Sequence, residues 1–202
     1  MPLWLAASPL VLASKSKIRR SLLVAAGVAV EVQPAELDER MVETGAPTNE
    51  PSAVAMHLAR EKALSVGRRN PERLVLGADQ VLALDGQRFT KPPDRAAAGT
   101  QLRTLSGRTH SLHSAVVCVR NGTIAFEHVS VARLTMRTLS DRFLDAYLDA
   151  AGAAAMESVG AYQLEGLGSQ LFERVEGDYF AILGLPLLEV LDFLRRQGCV
   201  LP

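Results

Sequence analysis

Leu74-Val-Leu-Gly-Ala-Asp79-Gln80-Val-Leu-Ala-Leu84 is apolar almost throughout, carries one acid at its centre, and runs into Asp85-Gly86. Its length and composition predict a strand of the buried type, and the dipeptide predicts a hairpin turn. An ionised aspartate there faces a large desolvation cost unless it is paired, hydrogen-bonded or bound to metal. Asp79 is therefore either a structurally paired acid or a candidate for metal binding or general-base work.

Upstream, Leu10 to Ala13 reads as a short strand, Ser14-Lys-Ser16 as a polar turn, and Ile18, Leu22, Leu23 and Ala26 as one face of a helix that Gly27 stops. Val28 to Val32 reads as a second strand, and Gln33 to Asn49 as an acidic loop. From Pro51 to about Arg69 the positions Val54, Ala55, Leu58, Ala59, Ala63 and Val66 trace a helix face. Lys62 falls on that face, so it either snorkels to the rim or points into a cleft.

Downstream, Ala96 to Leu105 is helical, and Ser111 to Val119, Asn121-Gly122 and Thr123 to Leu134 form a long-armed hairpin. Ser140 caps a helix to about Ala150. Val159 to Leu164 and Leu171 to Val175 read as strands, and Pro186 opens a last helix ending near Gly198. Helices and strands interleaved with hairpins predict an α/β fold on a mixed β-sheet, with two lobes around a central cleft.

The chain has 202 residues, 48% hydrophobic and 22% charged, enough for one real core. A single domain over 1–202 is expected, with residues 1–9 as a short N-terminal extension. Lys+Arg and Asp+Glu are both 22, and aromatics are only 5%, so no basic surface interleaved with stacking rings exists to hold nucleic acid. Any phosphate site must be local. Cys118 and Cys199 are too few for a disulfide framework or a cysteine-based zinc cluster, and read as buried thiols in a reducing compartment. The apolar start precedes its basic residues, contains Pro9 and is too short to span a bilayer, so no secretion signal or membrane segment is expected and a cytoplasmic location is.

Ser14-Lys15-Ser16-Lys17-Ile18-Arg19-Arg20 enters a helix straight after a strand. Free backbone N–H groups, hydroxyls and cations together make either a phosphate cradle or a solvated basic helix start; no Walker loop is present. Lys91 sits in the stiff Thr90-Lys-Pro-Pro93, and Glu36, Asp38 and Glu39 form an acid cluster. Such bases and acids together suit a metal–polyphosphate substrate, although an acid cluster alone reads equally as a solvated loop. His110 and His113 lack a third metal ligand and read as structural.

In this order the pieces resemble the Maf family of nucleoside triphosphate pyrophosphatases. The resemblance rests on Leu12-Ala-Ser14-Lys-Ser16 with Arg19, Leu58-Ala-Arg-Glu-Lys62-Ala63, Gly77-Ala-Asp79-Gln80-Val81, Lys91-Pro92, Leu105-Ser-Gly-Arg-Thr-His110, Gly160-Ala-Tyr162 with Glu165-Gly166, and Glu176-Gly-Asp-Tyr179 to Pro186. It covers about residues 10 to 198. It implies an inosine-triphosphatase-like (Maf/Ham1-type) architecture, a homodimer, and hydrolysis of a nucleoside triphosphate between its α- and β-phosphates with Mg²⁺ or Mn²⁺. Asp79 matches the family's proton acceptor. Ser14, Arg19, Lys62 and Lys91 match its phosphate-handling residues, and Glu39 a loop acid that helps hold metal, as Asp79 itself could.

Lys17-Ile18-Arg19, Gln80 and Glu165 depart from the commonest family pattern. Gln80 and Glu165 resemble the branch that acts on 7-methyl-GTP, whereas the branch with Thr and Gln at those places acts on dTTP and UTP. A guanine edge offers two adjacent donors that one carboxylate accepts together, and N7-methylation adds a positive charge that an anionic pocket favours. Ile18 replaces that branch's usual aromatic and removes a stacking surface for the cationic base. The family has also been linked to inhibition of septum formation, which makes a non-catalytic regulator the alternative of another class. The intact Asp79, Lys62 and Lys91 set argues against it.

Overall fold

The computed structural model describes residues 3–202. Among them one seven-stranded sheet runs in the order β2 (Val30–Val32), β1 (Leu10–Leu12), β3 (Val75–Leu84), β5 (Thr109–Arg120), β6 (Thr123–Met136) and β7 (Phe172–Glu176), with β4 (Gln87–Phe89) also on β3. β1 is parallel to β2 and β3, and every other pair is antiparallel, so the sheet is mixed as expected.

The pairing of β3 creates an opening in the sheet. Along one edge it is matched by β5 from Val75 to Ala83. Along the other, β1 reaches only Val75 and Leu76, and β4 begins only at Leu82. Among the described residues the stretch between has no strand on that edge, and the chain leaves β1 at Ala13-Ser14 beside it. In sheets with parallel strands, such a break at a strand's carboxyl end is where ligands find room.

Two groups of helices meet at this break. At the β1/β2 end, α1 (Lys17–Ala25) and α7 (Leu187–Arg196) cover one face with Leu23 and Val190 over Leu10, Leu12, Leu76 and Ala78, while α3 (Pro51–Gly67) covers the other with Val54, Ala59 and Ala63 over Val11, Val75 and Val81. At the far end, α4 (Arg95–Leu105) and α5 (Asp141–Ala151) pack Leu102 and Leu144 with Leu82, Leu84 and Leu134. The two lobes share β3, and Asp79 lies at their junction.

β3 is buried at nearly every position because both its faces are covered, which is why its sequence lacks alternation. Alternation survives in chemistry. Gly77, Asp79 and Val81 face α3, whereas Ala78, Gln80 and Leu82 face away from it. Gly77 lets α3 approach: a Cβ there would lie 2.3 Å from the Ala59 carbonyl oxygen and 2.7 Å from the Ala63 nitrogen.

Two expected segments differ. The acidic loop from Gln33 to Asn49 contains α2 (Glu39–Thr44), capped by Asp38, whose Oδ1 accepts from the Arg40 and Met41 N–H groups. Six residues with no buried side chain carry no apolar period, so the helix has no signature in the pattern. Val159 to Leu164 is no strand. Ser158 Oγ accepts from Tyr162 N and donates to Tyr162 O, closing a turn in which Ala161 takes φ 59°, and such local bonds compete with a ladder. Two 3₁₀ turns, Gly152–Met156 and Leu167–Leu171, and a short α6 (Tyr179–Ile182) were also unmarked.

The N-terminal segment is tied down: Leu5 N donates to Cys199 O and Leu201 N to Leu3 O, with Trp4 bridged to Val200. Met1 and Pro2 of the expected extension lie outside the described residues. Among the described residues no helix is long and apolar enough to cross a membrane. Cys118 is buried, Cys199 half-buried, and both are free thiols.

Candidate active site

The break in β3 opens a cleft of about 1130 Å³. Its walls are the turn after β1, α2, the middle of β3, β4 with the turn beyond it, residues 157–165, and residues 182–184. The residues that the family resemblance matched to site roles line it: Asp79 with Ser14, Arg19, Lys62 and Lys91, then Glu39, and Ile18, Gln80 and Glu165. These positions span more than 150 residues of chain, so only the fold assembles them.

At the centre is a three-way ion pair. Lys62 Nζ lies 2.5 Å from Asp79 Oδ1 and 2.8 Å from Glu39 Oε1. Lys62 and Asp79 are each only 8% exposed, so the lysine points into the cleft and does not snorkel. α3 can hold it there because the small residues Ala59, Ala63 and Gly77 bring helix and strand together on either side of it. Burial pushes the Asp79 carboxyl above its ordinary range, opposed by the charges of Lys62 and Arg19. Burial also raises Glu39, but the bond from Lys62 and the charges of Lys62, Lys91 and Arg19 outweigh it and leave Glu39 below the usual carboxylate range.

Arg19 is committed to the protein's own oxygens. Nη1 donates to Ala78 O at 2.7 Å and Ser14 Oγ at 3.2 Å, and Nε to Gly184 O at 2.8 Å. Its guanidinium thus joins the turn after β1, the unpaired edge of β3 and the turn after α6. Among the described residues Nη2 donates no hydrogen bond. Ser14 Oγ accepts from Arg19 and from Ser16 N, so its hydroxyl proton stays available as a donor.

Gln80 is likewise committed. Its Nε2 donates to Ile182 O at 3.0 Å and Ala181 O at 3.1 Å and lies 2.8 Å from Ser114 Oγ, which itself donates to Ala181 O. Gln80 therefore fixes the 181–184 wall, and its amide nitrogen is not free to read a ligand. Glu165 and Lys91 are exposed at the cleft surface, and Ile18 is half-buried in it.

Of the acid cluster, Asp38 is spent on capping α2, and Glu36 does not line the cleft. His110 is buried with Nε2 2.7 Å from Tyr162 Oη, and burial lowers its pKa to about 4, so it is a neutral brace. His113 is held between Ser52 Oγ and Ser111 Oγ. Sequence patterning missed Arg88, Glu43, Ser158 and Tyr162 in the cleft wall. For Arg88 and Glu43 no signal was available, since both are single charges on short surface elements.

Among the described residues no three His, Cys, Asp or Glu side chains gather as a metal cluster. Asp79 and Glu39 nevertheless converge on one ammonium, a pair of hard oxygen donors of the kind a divalent cation shares with phosphate oxygens.

A family model described as Maf-like protein matches residues 9–197. A protein of Nitrobacter winogradskyi named nucleoside triphosphate pyrophosphatase is 54% identical over 197 residues, covering 98% of this chain and 98% of its own. One of the same name from Rhodopseudomonas palustris strain BisB18 is 55% identical, with 98% of each chain covered. Another, from Paramagnetospirillum magneticum, is 53% identical over 95% of this chain and all of its own. Among solved structures, a HAM1 protein from Coxiella burnetii overlays 63% of this chain and 72% of its own at 15% identity and TM-score 0.38. That overlay is too loose to carry an argument, and the fold assignment rests on the sheet order itself.

Proposed function

The chain belongs to the Maf-like family, and from that premise we propose that it is a nucleoside triphosphate pyrophosphatase, cleaving the α–β phosphoanhydride to release a nucleoside monophosphate and pyrophosphate. The observation that carries this is the Asp79–Lys62–Glu39 ion pair at the floor of a nucleotide-sized cleft.

Phosphoryl transfer asks chiefly for positioning and charge neutralisation. Lys62 and Lys91, with Arg19 Nη2 and the Ser14 hydroxyl, supply the donors for phosphate oxygens. Asp79 Oδ1 is held by Lys62, whereas Oδ2 accepts no hydrogen bond among the described residues. Oδ2 is the atom that takes the proton from the attacking water. Raised by burial, Asp79 is a stronger base than an exposed aspartate once ionised. Glu39 and Asp79 are the residues that would hold Mg²⁺ or Mn²⁺, which neutralises charge developing on the phosphates. The serines act as donors, since no histidine stands beside them as a base.

The preferred substrate in this proposal is 7-methyl-GTP. Glu165, exposed on the cleft wall, is the carboxylate that accepts from the guanine edge, and its charge favours the methylated, cationic base. The same reading makes the protein a cytoplasmic homodimer acting on free nucleotides, checked by sedimentation. The test of function is pyrophosphate release with Mg²⁺ or Mn²⁺ from 7-methyl-GTP, GTP, dTTP, UTP and CTP, with Asp79→Asn as the blank. Preference for 7-methyl-GTP and an inert variant are expected. A pyrimidine preference would discard the specificity, and an active Asp79→Asn would discard the mechanism.

A further inference from the structure

Two carboxylates of α2 reach into the cleft from one helix face. Glu39 and Glu43 are four residues apart, and each meets a cation: Glu39 the Lys62 ammonium, and Glu43 the Arg88 guanidinium, with Nη1 2.8 Å from Oε1. Arg88 lies opposite Ala83 in the β3–β4 ladder, so its side chain shares the sheet face of Asp79, and it precedes Lys91 by three residues. Both Arg88 and Glu43 line the cleft.

The pair is incompletely bonded. Arg88 Nη1 is buried and 2.8 Å from Glu43 Oε1, yet among the described residues it is not aligned to donate a hydrogen bond. α2 contributes no fully buried side chain and packs on the α3-side core through the half-buried Val42, so Glu43 sits on an element held mainly at its surface. A guanidinium fork matches phosphate oxygens two at a time, and a polyphosphate carries more charge than one carboxylate.

Resting on the pyrophosphatase reading, we propose that Arg88 is a further triphosphate-binding residue, and that Glu43 is its internal counter-ion in the free enzyme, displaced when substrate binds. Glu43 then competes with substrate for Arg88, and its removal strengthens binding. A purely structural pair has the opposite sign, because breaking it would loosen the cleft wall.

The experiment measures kcat and KM, and in parallel the calorimetric affinity for inorganic tripolyphosphate, in wild type, Arg88→Gln, Arg88→Lys, Glu43→Gln and the double variant Glu43→Gln/Arg88→Gln. Arg88→Gln should raise KM and the tripolyphosphate Kd about tenfold, as for loss of a charge-assisted bond, and Arg88→Lys should restore part of it. Glu43→Gln should lower both about two- to fivefold, the worth of a partly exposed ion pair, and have no effect once Arg88 is Gln. Glu43→Gln with raised or unchanged tripolyphosphate Kd would overturn the proposal, even where Arg88→Gln fails to fold. Absence of turnover by wild type would count against the pyrophosphatase reading alone, since tripolyphosphate binding still decides the role of Arg88.

Discussion

Gly77 faces Ala59 across the α3–β3 contact so closely that a Cβ on the glycine would sit 2.3 Å from the alanine's carbonyl oxygen. Main chain, not a flexible side chain, occupies the space, so nothing there can swing aside. The consequence reaches the site, because the same contact sets how far Lys62 stands from Asp79.

Gly77→Ala should therefore force α3 off the sheet. Overpacking of this kind costs about 1–3 kcal/mol, and in a chain of this size each kcal/mol lowers Tm by about 2–4 °C. Turnover should fall more than stability, since the Lys62–Asp79 pair is opened. Thermal melting and steady-state kinetics check it; an unchanged kcat would show that the site does not depend on this contact.

The acid limb of the pH profile should belong to Asp79. Burial holds its pKa above the ordinary value, so as pH falls the carboxylate is protonated, and activity lost, earlier than for an exposed aspartate. Stability moves the other way. A carboxyl whose pKa is raised on folding contributes most when protonated, and that contribution is lost as pH rises through the folded-state value. Glu39 also helps raise it, so Glu39→Gln should shift the limb of kcat/KM to lower pH. A limb that stays put in Glu39→Gln would assign it to another group.

Glu165→Gln should lower kcat/KM for 7-methyl-GTP relative to dTTP and UTP, by about tenfold or more, because a mismatched donor meets the guanine edge. Unchanged ratios across the nucleotide panel would show that Glu165 does not contact the base.

Gln80→Ala should act through the wall that Gln80 fixes. Taking the Nε2 donor from Ile182 O, and one donor from Ala181 O, which keeps Ser114 Oγ and Gly184 N, should cost about 1–3 kcal/mol. KM should rise for all nucleotides alike. A change in base preference larger than the general loss would show instead that Gln80 reads the base directly.

Much of the fold was legible because its signals are local. β1, β3, the β5–β6 hairpin, α3, α4, α5 and α7 each announce themselves by an apolar run, a helical period, a cap or an Asn-Gly turn. The failures share a cause. α2 and the turn at Ser158 are stabilised by side-chain to backbone bonds and carry no apolar period, so they look like loop and strand respectively.

By itself the sequence determined the α/β class, a buried acid that needed compensation, and the residues to seek around it. Tertiary structure alone decided what each does: that Lys62 compensates Asp79 while also holding Glu39, that Arg19 and Gln80 spend their donors on the carbonyls of Ala78, Ala181, Ile182 and Gly184, and that Glu43 reaches Arg88. Hydrophobic period is written residue by residue along the chain. The partner of a desolvated charge depends on ångström-scale docking of distant elements, and here that docking is set by the missing Cβ of Gly77 and by β1 and β4 leaving the middle of β3 open.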